Sequence, residues 1–231
     1  MKSSDVLIII PAYNEEGTIE QVVGNLIANY PEYDYVIIND GSKDRTSEIC
    51  HQCGFTIIDL PVNLGLAGAF QTGLRYAYEH HYKKAVQFDA DGQHLPEYIE
   101  ALDRKMDEGY DLVIGSRFVK EKRENSLRML GNSLISAAIK LTTGRTINDP
   151  TSGMRMFSEG LIKEFALNVN YGPEPDTVSY LIRNGARVAE EQVYMQERQA
   201  GESYLTLSRS IHYMTHMFVS ILLIQNFRKR G

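Results

Sequence analysis

The sequence predicts an α/β fold, a mostly parallel central sheet with helices on both faces. Three observations carry that expectation. Short apolar runs alternate with helical stripes through residues 6–114, each run ends in a polar tip, and no Gly-, Ser- or Pro-rich linker divides the chain. Residues 6–10 form a continuous apolar run closed by Pro11, which suits a strand buried on both faces. Ile19, Val22, Val23, Leu26 and Ile27 then recur at helical spacing, within a helix expected over 16–30. Further strands are expected at 35–38, 55–60, 85–88 and 112–114. The helices between them run from a cap at Asp44 to Cys53 with Gly54 as the stop, over 67–80, and over 96–108 with Pro96 in the first turn. Beyond Gly115 the alternation ends. Residues 120–125 are charged and aperiodic and read as loop, 126–143 and 174–184 as helices, and 186–196 as extended chain. The expected organisation is one domain over 1–208 and an amphipathic helix over 209–231.

Composition narrows the function classes. With 231 residues, 43% hydrophobic and 23% charged, the chain is neither disordered, collagen-like nor a multi-span membrane protein. Its 24 basic and 30 acidic residues leave a formal charge of −6, a poor balance for binding nucleic acid, which requires clustered Lys and Arg. Cys50 and Cys53 have CxxC spacing, but no second pair completes a zinc site and no thioredoxin-like context surrounds them. They read as two helix-borne thiols of a reducing cytosol. The first apolar run is five residues long, too short for a signal peptide, so a cytoplasmic protein is expected.

In an open parallel sheet, ligands bind beyond the carboxyl ends of the strands. Unusual residues follow every predicted strand: PAYNE at 11–15, NDGSKD at 39–44, NLGLAG at 63–68, DADGQH at 89–94 and GSR at 115–117. Asn, Asp and Gly are ordinary turn residues, but five polar tips on one sheet edge point to a site. Asp89 and Asp91 stand two residues apart at a strand end. Two carboxylates so placed suit a hard cation, Mg²⁺ or Mn²⁺, shared with substrate phosphates, and Gln93 adds a neutral oxygen. The plainer reading is a helix cap before Pro96, which accounts for one polar residue but not for two aspartates and a glutamine. The glycine pair at 65 and 68 is not GxGxxG and follows the third strand; no P-loop and no GxSxG elbow occurs.

Together these blocks, with DPTSGMR at 149–155, resemble the inverting glycosyltransferase family 2. The similarity is greatest to the branch of dolichol-phosphate mannose synthase and bacterial polyprenyl-phosphate sugar transferases. The resemblance implies a GT-A fold and transfer of a sugar from a nucleotide diphosphate, UDP-linked, to undecaprenyl or dolichyl phosphate. It implies that Pro11, Tyr13, Glu15 and Asp40 hold the nucleotide, and that Asp89, Asp91 and Gln93 hold Mg²⁺ or Mn²⁺ on the donor diphosphate. It also implies that Arg117 and Arg198, with Ser133 beside them, meet the acceptor phosphate; Asp91, Arg117 and Arg198 are the expected catalytic residues. The plain alternative for either arginine is a surface ion pair, worth ~0–1 kcal/mol. Other functions consistent with the residues are transfer to a glycan or protein acceptor, or an inactive nucleotide-sugar-binding subunit of a membrane complex. The chain contains no tryptophan, so it lacks the QxxRW motif of processive polysaccharide synthases.

Residues 210–227 lack Asp, Glu, Lys and Arg, and are flanked by Arg209 and by Arg228, Lys229 and Arg230. His212, His216 and Ser220 form a polar stripe at steps of four. A helix lying in a membrane interface is expected, on the inner face of the cell membrane, the alternative being a core or dimer helix. The expected partners are thus the nucleotide sugar, polyprenyl phosphate, a membrane surface and a small membrane protein or a second copy of the chain, but no nucleic acid. The two histidines have zinc-ligand spacing, but no third ligand is evident.

Overall fold

In the computed structural model, which describes residues 4–121, 127–168, 172–196 and 207–225, β1 (Val6–Ala12), α1 (Ile19–Asn29), β2 (Asp34–Asn39), α2 (Thr46–Gln52), β3 (Ile57–Asp59), α3 (Gly65–Glu79) and β4 (Lys84–Gln87) form the first half. A 3-10 turn at Pro96–Tyr98 leads into α4 (Ile99–Asp107). Then come β5 (Leu112–Ser116), α5 (Leu127–Thr143), β6 (Arg155–Ser158), α6 (Glu159–Leu167), α7 (Pro175–Arg183), β7 (Val188–Gln192) and α8 (Leu207–Val219), which ends in a π-turn at Ser220–Ile224. One seven-stranded sheet has the order β3-β2-β1-β4-β6-β5-β7. All pairs are parallel except those of β6, which runs antiparallel between β4 and β5.

Strand β1 shows why the sheet needs helices on both faces. Leu7 and Ile9 point into one core, with α3 and α5 to α8; Val6, Ile8 and Ile10 point into the other, with α1 and α4. A side chain buried so completely contributes about 1.5–3 kcal/mol, and the two-sided burial explains the unbroken apolar run. Helix α3 approaches β1 most closely at Gly73, where an added Cβ would lie 2.2 Å from Ile9 Cγ2. Gly73→Ala is therefore expected to destabilise the fold by about 1–3 kcal/mol despite alanine's better helix propensity. Urea denaturation checks this; a stabilised variant would show that α3 packs elsewhere.

Three features depart from expectation. Helix α1 begins at Ile19, not at residue 16, because the backbone N–H groups of Glu15 and Glu16 donate to Thr46 Oγ1 at 2.8 Å and Asp44 Oδ2 at 3.1 Å across the loops. Strand β6 and helix α6 follow one another without a turn and were not anticipated. Finally, Ser220 leaves the expected polar stripe: His212 and His216 are exposed, whereas Ser220 is buried and donates to Asp176 Oδ2 at 2.6 Å. Steps of four residues drift about 40° each around a helix, enough to carry Ser220 from the outer face to the inner.

Candidate active site

The strand order reverses between β1 and β4, with β2 and β3 on one side, and the crevice at such a reversal is where a doubly wound sheet binds its ligand. A cleft of about 500 Å³ opens there. Pro11, Tyr13 and Glu15 line it from the β1 tip, Asp40 from β2, and Asp89 and Asp91 from β4. The loops are cross-stitched: Asn14 N–H donates to Ser42 Oγ at 2.9 Å, and Lys43 N–H returns a bond to Asn14 Oδ1 at 2.8 Å. Asp40 Oδ1 accepts the Leu64 N–H at 2.6 Å, drawing in the loop after β3. Gly41 makes this approach possible, with φ +66° and no room for a Cβ, which would sit 2.8 Å from Asn63 N.

Asp89 is the hinge between this cleft and a second one of about 640 Å³, lined by Gln93, His94, Arg117, Arg155, Glu174 and Tyr213 among others. Its Oδ1 accepts the Gln87 amide at 3.0 Å. Asp91, 5% exposed, accepts the Gln93 N–H at 3.0 Å. The Gln93 side-chain amide donates to Gln196 O at 3.4 Å. Among the described residues no group of three or more His, Cys, Asp or Glu side chains is placed to hold a metal. The pair of aspartates nevertheless fits a Mg²⁺- or Mn²⁺-type ion: the set offers hard oxygens alone, and such ions commonly take one or two carboxylates plus substrate phosphates.

Arg117 leaves the end of β5 and meets a carboxylate to which the sequence reading gave no role. Asp149, fully buried, accepts Arg117 Nε at 2.6 Å and Nη2 at 2.8 Å, together with Asn132 Nδ2 at 3.0 Å. Glu190 on β7 fixes this loop in turn, accepting the backbone N–H groups of Asn148 at 2.7 Å and Asp149 at 2.8 Å. The fork is thus aimed through a two-point contact, and Nη1 takes no part in it. Arg155, on β6, is buried outright. It donates to the carbonyls of Ser152, Pro150 and Glu174 at 2.8, 2.6 and 3.2 Å, and burial lowers its pKa from the ordinary arginine value. Tyr213 of α8 donates its hydroxyl to Glu174, and burial beside that carboxylate pushes its pKa well up.

The four nucleotide candidates and the two aspartates share the first cleft, and Gln93 and Arg117 the second. Ser133 lines neither: it lies half-buried on α5, donating to Met129 O at 2.8 Å. Arg198 lies outside the described residues. Cys50 and Cys53 are free thiols, and burial raises Cys50 to about 11, which leaves it inert rather than nucleophilic.

Comparison with known proteins identifies relatives over most of the chain. The family model described as glycosyl transferase family 2 matches residues 7–165. The UDP-N-acetylglucosamine–dolichyl-phosphate N-acetylglucosaminyltransferase of Methanococcus voltae is 34% identical over 179 residues, 68% of this chain and 71% of that one. The undecaprenyl-phosphate mannosyltransferase of Micrococcus luteus is 30% identical over 213 residues, 87% of each chain. Several curated relatives are longer, the chain spanning about two thirds of their length. Among solved structures, glucosyl-3-phosphoglycerate synthase from Mycobacterium tuberculosis, in complex with Mn²⁺, UDP and phosphoglyceric acid, superposes with a TM-score of 0.68. It is 20% identical, with 97% of this chain and 79% of that one covered. A sheet whose reversal gathers the tips of β1, β2 and β4 around paired aspartates, and a family match that spans those same tips, lead to one conclusion: the chain belongs to glycosyltransferase family 2.

Proposed function

We propose that the chain transfers a sugar from a nucleotide diphosphate, UDP-linked, to polyprenyl phosphate with inversion at the anomeric carbon. The observation that carries this reading is the junction at Asp89, where the cleft containing both aspartates meets the cleft containing Arg117. The relatives named for polyprenyl-phosphate acceptors support it. In this reading Pro11, Tyr13, Glu15 and Asp40 seat the nucleoside, and Asp89 and Asp91, with Gln93, hold Mg²⁺ or Mn²⁺. A bound ion would offset the charge growing on the leaving diphosphate.

The acceptor explains why the chain needs no strong base. A phosphate monoester has a second pKa of about 6 and is already largely ionised at neutral pH. The task left to the protein is to bring two anions together, which Arg117, aimed by Asp149, is shaped to do; Arg198 is proposed to assist. A panel of labelled nucleotide sugars incubated with the chain, polyprenyl phosphate and Mn²⁺ tests the reading. Label is expected in the organic phase for one donor and not with EDTA; no organic-phase label from any donor would reject the polyprenyl acceptor.

The acceptor's lipid also gives a role to apolar side chains left outside the core. Helix α5 exposes Leu130, Leu134 and Leu141 (57, 51 and 79%), and the end of α8 with its π-turn exposes Val219, Leu223 and Ile224. The opposite face of α8 belongs to the core through Met217 and Ile221, so this helix both completes the fold and presents an apolar surface. No helix among the described residues is long and apolar enough to cross a membrane. We infer that this surface rests on lipid. Leu134→Asp combined with Leu223→Asp is expected to lower flotation with anionic liposomes at least several-fold while leaving the melting temperature nearly unchanged. Unaltered flotation would assign the surface to a protein partner or a second copy.

A further inference from the structure

We propose that His94 is a positioning residue for Asp89, its Nδ1 fixing the Asp89 backbone and so the direction in which the carboxylate leaves it between the two clefts. The proposal rests on the metal-site reading above and adds to it the device that shapes one ligand. His94 is buried, its side chain 3% exposed. The Asp89 backbone N–H donates to its Nδ1 at 2.9 Å, so Nδ1 is the acceptor nitrogen and the ring hydrogen of the neutral imidazole sits on Nε2. That nitrogen lies 3.6 Å from Asp89 Oδ2. Phe88 meets the ring edge-on, with centroids 5.6 Å apart. The other oxygen, Oδ1, accepts the Gln87 amide at 3.0 Å, so the residue is tied at its backbone by His94 and at Oδ1 by Gln87.

The same pocket explains a glycine from a distant segment. A Cβ on Gly153 would lie 2.7 Å from Asp89 Oδ2, 3.2 Å from His94 Cε1 and 3.4 Å from His94 Nε2. Any larger residue there must displace the carboxylate or the ring. His94 and Gly153 therefore constrain Asp89 in two ways, one by a hydrogen bond to its backbone and one by leaving space for Oδ2 and the ring. A ring serving only as packing would affect stability alone. A ring that orients Asp89 would change the affinity for the ion, because partners behind a ligand typically contribute about 10–100-fold to metal affinity.

The test is Mn²⁺ binding to the full chain with UDP present, read from the electron paramagnetic resonance of free Mn²⁺, with melting temperatures recorded alongside. His94→Asn places Oδ1 where Nδ1 stood and is expected to stay within about threefold of wild type, since the bond to the Asp89 N–H survives. His94→Gln and Gly153→Ala are expected to weaken binding about 10–100-fold. The latter two change different residues around the carboxylate, so misfolding of one leaves the other as the test. Wild-type affinity in both would overturn the proposal, as would equal loss in His94→Asn and His94→Gln. A wild-type chain that binds no Mn²⁺ beside UDP would instead overturn the metal-site reading itself.

Discussion

Asp91→Ala is expected to lower kcat by about 10²–10³-fold, with metal-dependent donor binding lost in parallel. The estimate follows from the several kcal/mol that a Lewis acid contributes at a leaving diphosphate, each 1.4 kcal/mol being tenfold in rate. Asp91 is 5% exposed at the rim of the donor cleft, and its Oδ1 holds the turn through Gln93 N–H. Asp91→Asn retains an acceptor for that bond, so it separates the two roles. It should fold as the wild type does and still fail to turn over. Steady-state kinetics across a Mn²⁺ titration check both variants; wild-type turnover of Asp91→Asn at limiting Mn²⁺ would remove Asp91 from the metal site.

Asp149→Ala should cause the largest loss of stability, about 3–5 kcal/mol, because it leaves the Arg117 guanidinium without its carboxylate and Asn132 without its acceptor. For a chain of this length that corresponds to a fall in Tm of about 6–20 °C. Arg117→Lys probes the same pair from the other side. It keeps the charge but loses the fork, so the phosphorylated acceptor's kcat/KM should fall about 10–150-fold, the worth of one charge-assisted hydrogen bond. Donor binding measured calorimetrically should change little, since Arg117 lines the second cleft and not the first. Lost donor affinity with normal acceptor kinetics would move Arg117 to the nucleotide diphosphate.

The first half of the fold is legible because each strand is marked twice, by its apolar run and by the polar tip after it. Residues 6–10 and 89–94 need no tertiary information to be read as a buried strand and a site loop. The parts that escape reading depend on distant partners. Strand β6 opens with Arg155, a residue that ordinarily argues against a central strand. It is tolerated there because three carbonyls, one of them from Glu174 far along the chain, receive its N–H groups. Helix α6 has an apolar stripe of its own in Leu161, Ile162 and Phe165, but it begins directly after β6, with a lone serine, Ser158, at the boundary. In the site, Asp89, Asp91 and Arg117 stand out because carboxylate spacing and strand position are local signals. Asp149 and Tyr213 do not, since what gives each its part is a contact across the chain: a guanidinium 32 residues away, and a glutamate capping another helix.

Polyprenyl phosphate and the corresponding free polyprenol, which lacks only the phosphoryl group, are the acceptors that most directly separate phosphate recognition from lipid recognition. Both are supplied at equal concentration with the chain, Mn²⁺ and the labelled donor that the panel selects, and the initial rate of label entering organic solvent is measured. Transfer to the phosphate is expected at a rate at least 100-fold above that to the alcohol, because the alcohol needs a base that the clefts are not proposed to supply and offers nothing for Arg117 to hold. Equal rates with the two acceptors would contradict the proposed phosphate acceptor.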